Sequence, residues 1–293
     1  FWKYLFSKRF VFDHHDINPE LYEAKFGRRG FFHRVLGILE RLTFRVADAS
    51  LATNETFRDI AIERGGMEKD RVFIVRSVPD TSRFRRIAPN EALKHGRKHL
   101  VGFVGIMGAQ DGVDLMVEAM STIVHERGRT DVQALIVGSG TELPALEALA
   151  RERGLEDYIT FPGFQSGETL LTAMSTFDVG VIPDPKNVYN DKISMNKVLE
   201  YMTLGIPFVQ FDLMEGRKIA GDAALYADMN SPSRLADSML TLIDNEELRA
   251  EKAAIGRERA KDCLRWEDER ARLLAAFDVV LSDKVATDRR PWA

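Results

Sequence analysis

Cysteine is nearly absent: Cys263 stands alone in 293 residues, which excludes an intrachain disulfide framework and any multi-cysteine metal site. A reducing, cytoplasmic compartment fits that usage. Basic excess is missing too. Lys and Arg number 41 against 45 Asp and Glu, and the formal net charge of -4 excludes a globally basic nucleic-acid binder. Nor is there a long apolar run: LIVG and VGVIP are strand-length, far short of the roughly 20 residues a bilayer span needs. The opening FWKYLFSKRFVFDHHD has neither an initiating Met nor the three-part pattern of a signal peptide. It reads as a fragment that starts inside a domain. No fixed short repeat and no low-complexity tract is present.

What the chain does have is ordinary globular composition, 45% hydrophobic and 29% charged, at a length that suits two domains. From His99 onward, short apolar runs alternate with amphipathic stretches, the pattern of a doubly wound parallel α/β domain. HLVGFVG, QALIVGSG, YITFPGF, VGVIPD, PFVQFD and AALYAD read as its strands. Helices are expected near Gly112 to Arg127, over TELPALEALARERG, over SGETLLTAMSTF with Ser166 as cap, and from about Ser233 onward. Residues 1–95 show a shorter version of the alternation in FVFDHHD, SLATN and VFIVRS, with too few strands to complete a sheet covered on both faces. The expected organisation is an incomplete first domain over 1–95, with RRIAPNEALKHGRKH as its linker, then a complete domain over 96–265. A crossover helix and tail fill 266–293.

The segment NDKISMNKVLEYMTLGIPFV, residues 190–209, is unusual. A helix starting near Ser194 would bury Met195, Val198, Leu199 and Met202 as one stripe and turn Lys197 and Glu200 away from it. Lysine at a helix N-terminus opposes the macrodipole. A solvated Lys197–Glu200 pair is one explanation. An anion site is the other: Lys192, Lys197 and the helix N–H groups can hold phosphate, and Glu200, one turn on, can accept both hydroxyls of a ribose. The long preceding loop, PDPKNVYNDKIS, leaves a strand at its carboxyl end, where α/β domains bind ligands. Together these features suggest a nucleotide.

The spacing N-D-K-x-S-x-x-K-V-x-E-Y-M-x-x-G-x-P resembles the donor-binding segment of family 4 glycosyltransferases of GT-B fold, whose two Rossmann-like doubly wound domains close on a nucleotide-sugar. The order of strands and helices agrees with that family from about residue 99 to 265. The resemblance implies a retaining, metal-independent transfer from a nucleotide-sugar to a glycan or polyprenyl-diphosphate-linked acceptor, with no cofactor and no nucleic-acid partner. It gives Glu200 the place of the second glutamate of the E-x7-E motif, on the donor ribose. Lys192 occupies the place of the first, with Asp191 as its nearest acidic substitute. The Arg and Lys that usually neutralise the diphosphate are absent from GIMGAQDG, so Lys192 and Lys197 are expected to supply that charge. Ser194, Asn196 and Gly105 complete the expected donor-binding set.

FDHHDINPELYEAKFG, residues 12–27, is similar to the family's first-domain loop near the reacting centre, which makes His15 the catalytic candidate beside Asp191 and Lys192. Without the family, a His14–His15 pair is more often structural or exposed than catalytic, and no third ligand is spaced to make it a metal site. VGSG carries a G-x-G without the third glycine of a dinucleotide fingerprint. The family has a similar turn, which assigns Gly138 and Gly140 to cleft shape. Phe164 either lines the base pocket or simply ends a strand. RRGFFHRVLGILERLTFRV, residues 28–46, holds five arginines and one acid beside an apolar stripe of Phe32, Val35, Leu36 and Leu39. It is either a core-packed helix with a basic outer face or a contact to an anionic membrane surface, on the inner face of the membrane, or to a lipid-diphosphate acceptor. A GT-B-shaped epimerase and an inactive nucleotide-sugar binding module are the alternatives to a transferase.

Overall fold

The computed structural model describes residues 2–6, 8–228 and 230–282. The chain divides into two compact units, one of residues 1–77 with 266–293 and one of residues 78–265.

In the first unit α1 (Trp2–Phe6) precedes β1 (Val11–His14), α2 (Asn18–Phe26), α3 (Phe31–Val46), β2 (Ala49–Ala52), α4 (Glu55–Asp59) and β3 (Val72–Ile74). The strands pair in parallel in the order β1-β2-β3. The SLATN stretch stops where Asn54 caps α4, its side chain accepting the Phe57 N–H at 2.9 Å. The apolar stripe expected on α3 is not what packs inward. Phe32 and Leu39 are 63% and 54% exposed, and the buried positions of the helix are Glu40 and Phe44. Arg64 explains the inversion: it pairs with Glu40 at 2.6 Å and Glu20 at 2.7 Å, fixing the face that turns inward.

In the second unit β4 (His99–Ile106), α5 (Val113–Ser121), β5 (Val132–Ser139), α6 (Leu143–Glu152), β6 (Ile159–Gly163), α7 (Gly167–Thr176), β7 (Val179–Ile182), α8 (Asn196–Leu204), β8 (Phe208–Phe211), α9 (Met214–Ala220), β9 (Ala224–Ala227), α10 (Pro232–Asp244) and α11 (Glu246–Cys263) follow in turn. All strand pairings are parallel, in the order β6-β5-β4-β7-β8-β9. Strand side chains alternate between the two faces, and both faces are covered. Val101, Phe103 and Ile136 pack on α5 and α10, while Leu100, Leu135 and Phe208 pack on α8. That double burial is why these strands read as continuous apolar runs.

Two expectations change. The polar stretch 85–99 is not a free linker: the Ile87 N–H donates to Ser175 Oγ at 3.0 Å and the Asn90 N–H to Thr176 Oγ1 at 2.9 Å, which pins it to α7. The division therefore falls at Ser77 and Val78. The helix expected from Ser194 begins at Asn196, with Met195 in extended backbone before it. After the second unit, α12 (Trp266–Ser282) packs along β2 and β3 of the first. Its Glu269, 1% exposed, accepts the Arg76 N–H at 2.8 Å. The tail expected over 283–293 lies outside the described residues.

Candidate functional site

From β4 the second sheet grows outward through β5 to β6, and the chain then returns to place β7 on the other side of β4. The carboxyl ends of β4 and β7 therefore flank a topological switch point, the place where open α/β sheets bind ligands. The loops leaving them are tied together. Asn190, 1% exposed, donates from Nδ2 to the carbonyls of Gln110 and Pro185 at 2.9 Å each. Asp111 Oδ2 accepts the Gly108 N–H at 2.9 Å and so shapes the GIMGAQDG loop from within.

Glycine is required where the strand ends converge. Gly138 pairs with Gly105 across β4 and β5 and has φ +143°; a Cβ there would lie 1.8 Å from the Gly105 carbonyl oxygen. At Gly140 a Cβ would meet the Met107 carbonyl oxygen at 2.2 Å. These glycines let the turns after β4 and β5 lie against each other. Gly105 is close to the helix as well: a Cβ on it would sit 3.5 Å from Lys197 Cδ. Phe164 stands just past β6 with 72% of its surface exposed.

α8 brings the remaining groups to this end of the sheet. Met195, Val198, Leu199 and Met202 are all buried in the core below it, which fixes its rotation and directs Lys197 and Glu200 to its other side. Lys197 is held from within: its Nζ lies 2.8 Å from Asp184 Oδ2 and 4.8 Å from the Phe103 ring centroid. Asp184, 2% exposed, ends the VGVIPD run. Burial pushes its carboxyl above the ordinary range, and Lys197 opposes that rise. Lys197 thus reaches this end of the sheet already paired with a buried carboxylate, which lowers the net charge it can offer a diphosphate.

Glu200 differs. It is partly buried, and among the described residues its carboxylate accepts no hydrogen bond from the protein. Burial holds its pKa above the usual carboxylate range, offset in part by Lys197. Asp191 is committed elsewhere: its Oδ1 accepts the Met214 N–H at 2.7 Å, at the start of α9, and lies 3.6 Å from Lys186 Nζ. Through these contacts Asp191 ties the loop to the start of α9. Lys192 and Ser194 lie in the loop before the helix, half-buried, and Asn196 is exposed at its first turn.

The histidines are in the first unit. His15, 51% exposed in its side chain, pairs with Asp13 at 3.0 Å. His14 is fully buried among Phe12, Phe44 and Phe57, with neither ring nitrogen hydrogen-bonded, and burial lowers its pKa to about 4. It is a neutral member of an aromatic cluster. Sequence reasoning missed Asp184, Phe103 and Asn190. The one available signal was an acid closing a strand-length apolar run, in VGVIPD. Among the described residues, no group of three or more His, Cys, Asp or Glu side chains converges as a metal site would, and no helix is long and apolar enough to cross a membrane.

Comparison with known proteins agrees with this architecture. The chain is 30% identical over 227 residues to the alpha-D-kanosaminyltransferase of Streptomyces kanamyceticus, covering 73% of this chain and 57% of that one. It is 27% identical over 212 residues, 66% of this chain and 52% of the other, to the GDP-mannose-dependent alpha-(1-6)-phosphatidylinositol monomannoside mannosyltransferase of Mycobacterium tuberculosis. The chain thus spans about half the length of the curated relatives it matches. In fold it resembles the sucrose-phosphate synthase of Thermosynechococcus elongatus, with TM-score 0.77, 19% identity and coverage of 93% of this chain and 68% of the other. It also resembles Anabaena HepE in complex with UDP and glucose, with TM-score 0.77, 17% identity and coverage of 94% and 73%. Residues 98–245, half of the chain, match the family described as Glycosyl transferases group 1, and with parallel sheets, switch point and glycine turns in place, the protein belongs to that family and has the GT-B fold.

Proposed function

We propose that this chain carries the donor-binding part of a retaining, metal-independent glycosyltransferase. The enzyme moves a sugar from a nucleotide-sugar to a glycan or polyprenyl-diphosphate-linked acceptor, in the cytoplasm, for cell-surface polysaccharide or glycoconjugate synthesis. The observation that carries this reading is Glu200: a partly buried carboxylate, without a protein hydrogen bond, beside the switch point. A desolvated acceptor left open in this way is suited to the paired hydroxyls of a ribose. The diphosphate then falls toward the first turn of α8. There, Met195 at the cap position offers no side-chain cap, so N–H groups remain for an anion. Lys192, in the loop just before this turn, supplies counter-charge. As the glycosidic bond breaks, these donors stabilise the charge that grows on the leaving nucleotide diphosphate. The named relatives include a GDP-mannose-dependent enzyme, and HepE was solved with UDP. Both UDP and GDP are therefore the probes to use.

Isothermal titration of this chain against UDP, GDP, uridine and guanosine tests the assignment. Glu200→Ala should weaken nucleotide and nucleoside binding alike, by roughly tenfold or more, as expected for hydrogen bonds to a charged group. Lys192→Ala should weaken the diphosphates far more than the nucleosides. Unchanged affinity in Glu200→Ala, or no binding of any of the four to the unsubstituted chain, overturns the reading. Transfer itself is expected only from a longer protein that supplies the rest of the first domain.

A further inference from the structure

The outer face of α3 is apolar, and its only charges are positive. At about 100° per residue, Phe31, Val35, Ile38, Leu42 and Val46 fall in one row, with Phe32 and Leu39 beside it. Phe31, the most open of them, is 75% exposed, and Leu42, the least open of the exposed residues on this face, is 49% exposed. Arg34, Arg41 and Arg45 follow one edge of the row. Arg34 and Arg41 make no ion pair among the described residues. The sole acid of the helix, Glu40, is turned inward onto Arg64. The surface continues at one end, where Lys3 Nζ donates to the Val46 carbonyl at 2.7 Å and seats α1 there with Leu5 and Phe6 exposed.

We propose that this face lies on an anionic lipid bilayer, the apolar row among the upper acyl chains and the arginines at headgroup phosphates. Charge selects this occupant. A neutral apolar partner would leave Arg34 and Arg41 unanswered, and a second copy of the chain would bring the same two arginines with no acid on the face to meet them. A bilayer of anionic lipid answers both halves of the pattern, and helices of this amphipathic kind lie in its interface rather than across it. This inference concerns the first unit and does not depend on how the second binds donor.

Sedimentation of the full chain with vesicles provides the test. It should pellet with phosphatidylglycerol–phosphatidylcholine vesicles and stay in solution with phosphatidylcholine alone, and its binding should fall as salt rises. The double substitution Phe32→Asp with Leu39→Asp should abolish pelleting. Both positions are exposed, so far-UV circular dichroism should be unchanged. Arg34→Ala and Arg41→Ala should each weaken binding roughly fivefold. The proposal is overturned by failure to pellet with anionic vesicles, by equal binding to neutral ones, or by retained binding in the double variant. It is equally overturned if velocity sedimentation shows a dimer, lost in the double variant, that anionic vesicles do not compete away.

Discussion

α3 and α8 are both amphipathic helices beside parallel sheets, yet they treat their apolar stripes in opposite ways. On α8 the stripe is covered: Val198 and Leu199 are 0% and 1% exposed, beneath a helix that also packs against α11. On α3 the outer row stays open, and the inward face is held by Glu40, Phe44 and the ion pairs of Arg64. Periodicity therefore announces a face that wants to leave water, and says nothing of what covers it. On α8 the stripe faces the sheet and becomes core; on α3 the positions that face inward are Glu40 and Phe44, and the apolar row is left on the outer side of the helix.

The sharpest way to break this contrast is to truncate one leucine from each helix. Leu199→Ala should cost about 2–5 kcal/mol, the range for a buried leucine. Leu39→Ala should change stability by no more than about 0.5 kcal/mol, as an exposed site does. Urea unfolding followed by circular dichroism reads both, and a large loss at Leu39 would mean that the outer face of α3 is covered after all.

A second contrast separates the units by pH. His14 is buried neutral, its pKa lowered to about 4 by burial and by Arg64, whereas the unfolded chain has a histidine near 6.5. The folded form thus resists protonation. The stability it contributes is complete above about pH 6.5 and is lost as pH falls from there toward 4, by about 3 kcal/mol at most. Urea unfolding repeated across this pH range, followed by circular dichroism, reads that loss. His14→Phe should fit the aromatic cluster and flatten the acid side of this profile; an unchanged profile would show that other groups set it.

The smallest effect is expected at Glu200. Its carboxyl pKa is raised by burial, so ionisation works against the folded state, increasingly as pH rises through that value. Glu200→Gln removes this penalty. Without ligand the variant should melt slightly higher than the parent at pH 7 and equal to it near pH 4, while binding nucleotides less well. A lower melting temperature at pH 7 would mean that the carboxylate has a protein partner after all.

Much of the fold is legible in the sequence. Doubly covered strands had to be apolar on both faces, so HLVGFVG, QALIVGSG and VGVIPD announced a parallel sheet. The K-V-L-E-Y-M-T-L-G-I-P segment likewise pointed to the helix that carries Glu200. The site was legible in part. Nothing in the spacing said that Lys197 would be held by Asp184, because residues 13 apart meet only once β7 and α8 have folded against each other. Nothing said that Asp191 would be taken by the start of α9, or that the polar stretch 85–99 would be fastened to α7 by two side-chain hydroxyls.

By itself, then, the sequence determined the element types, the parallel architecture and the family, because these follow from periodicity, turn chemistry and a local motif. Tertiary structure alone decided which charges stay free. Whether a lysine or a carboxylate is available to a ligand depends on what the folded chain places within about 3–4 Å of it, where opposite charges pair strongly once water is excluded. That is why Glu200 remains open, Lys197 and Asp191 do not, and the apolar row of α3 faces outward.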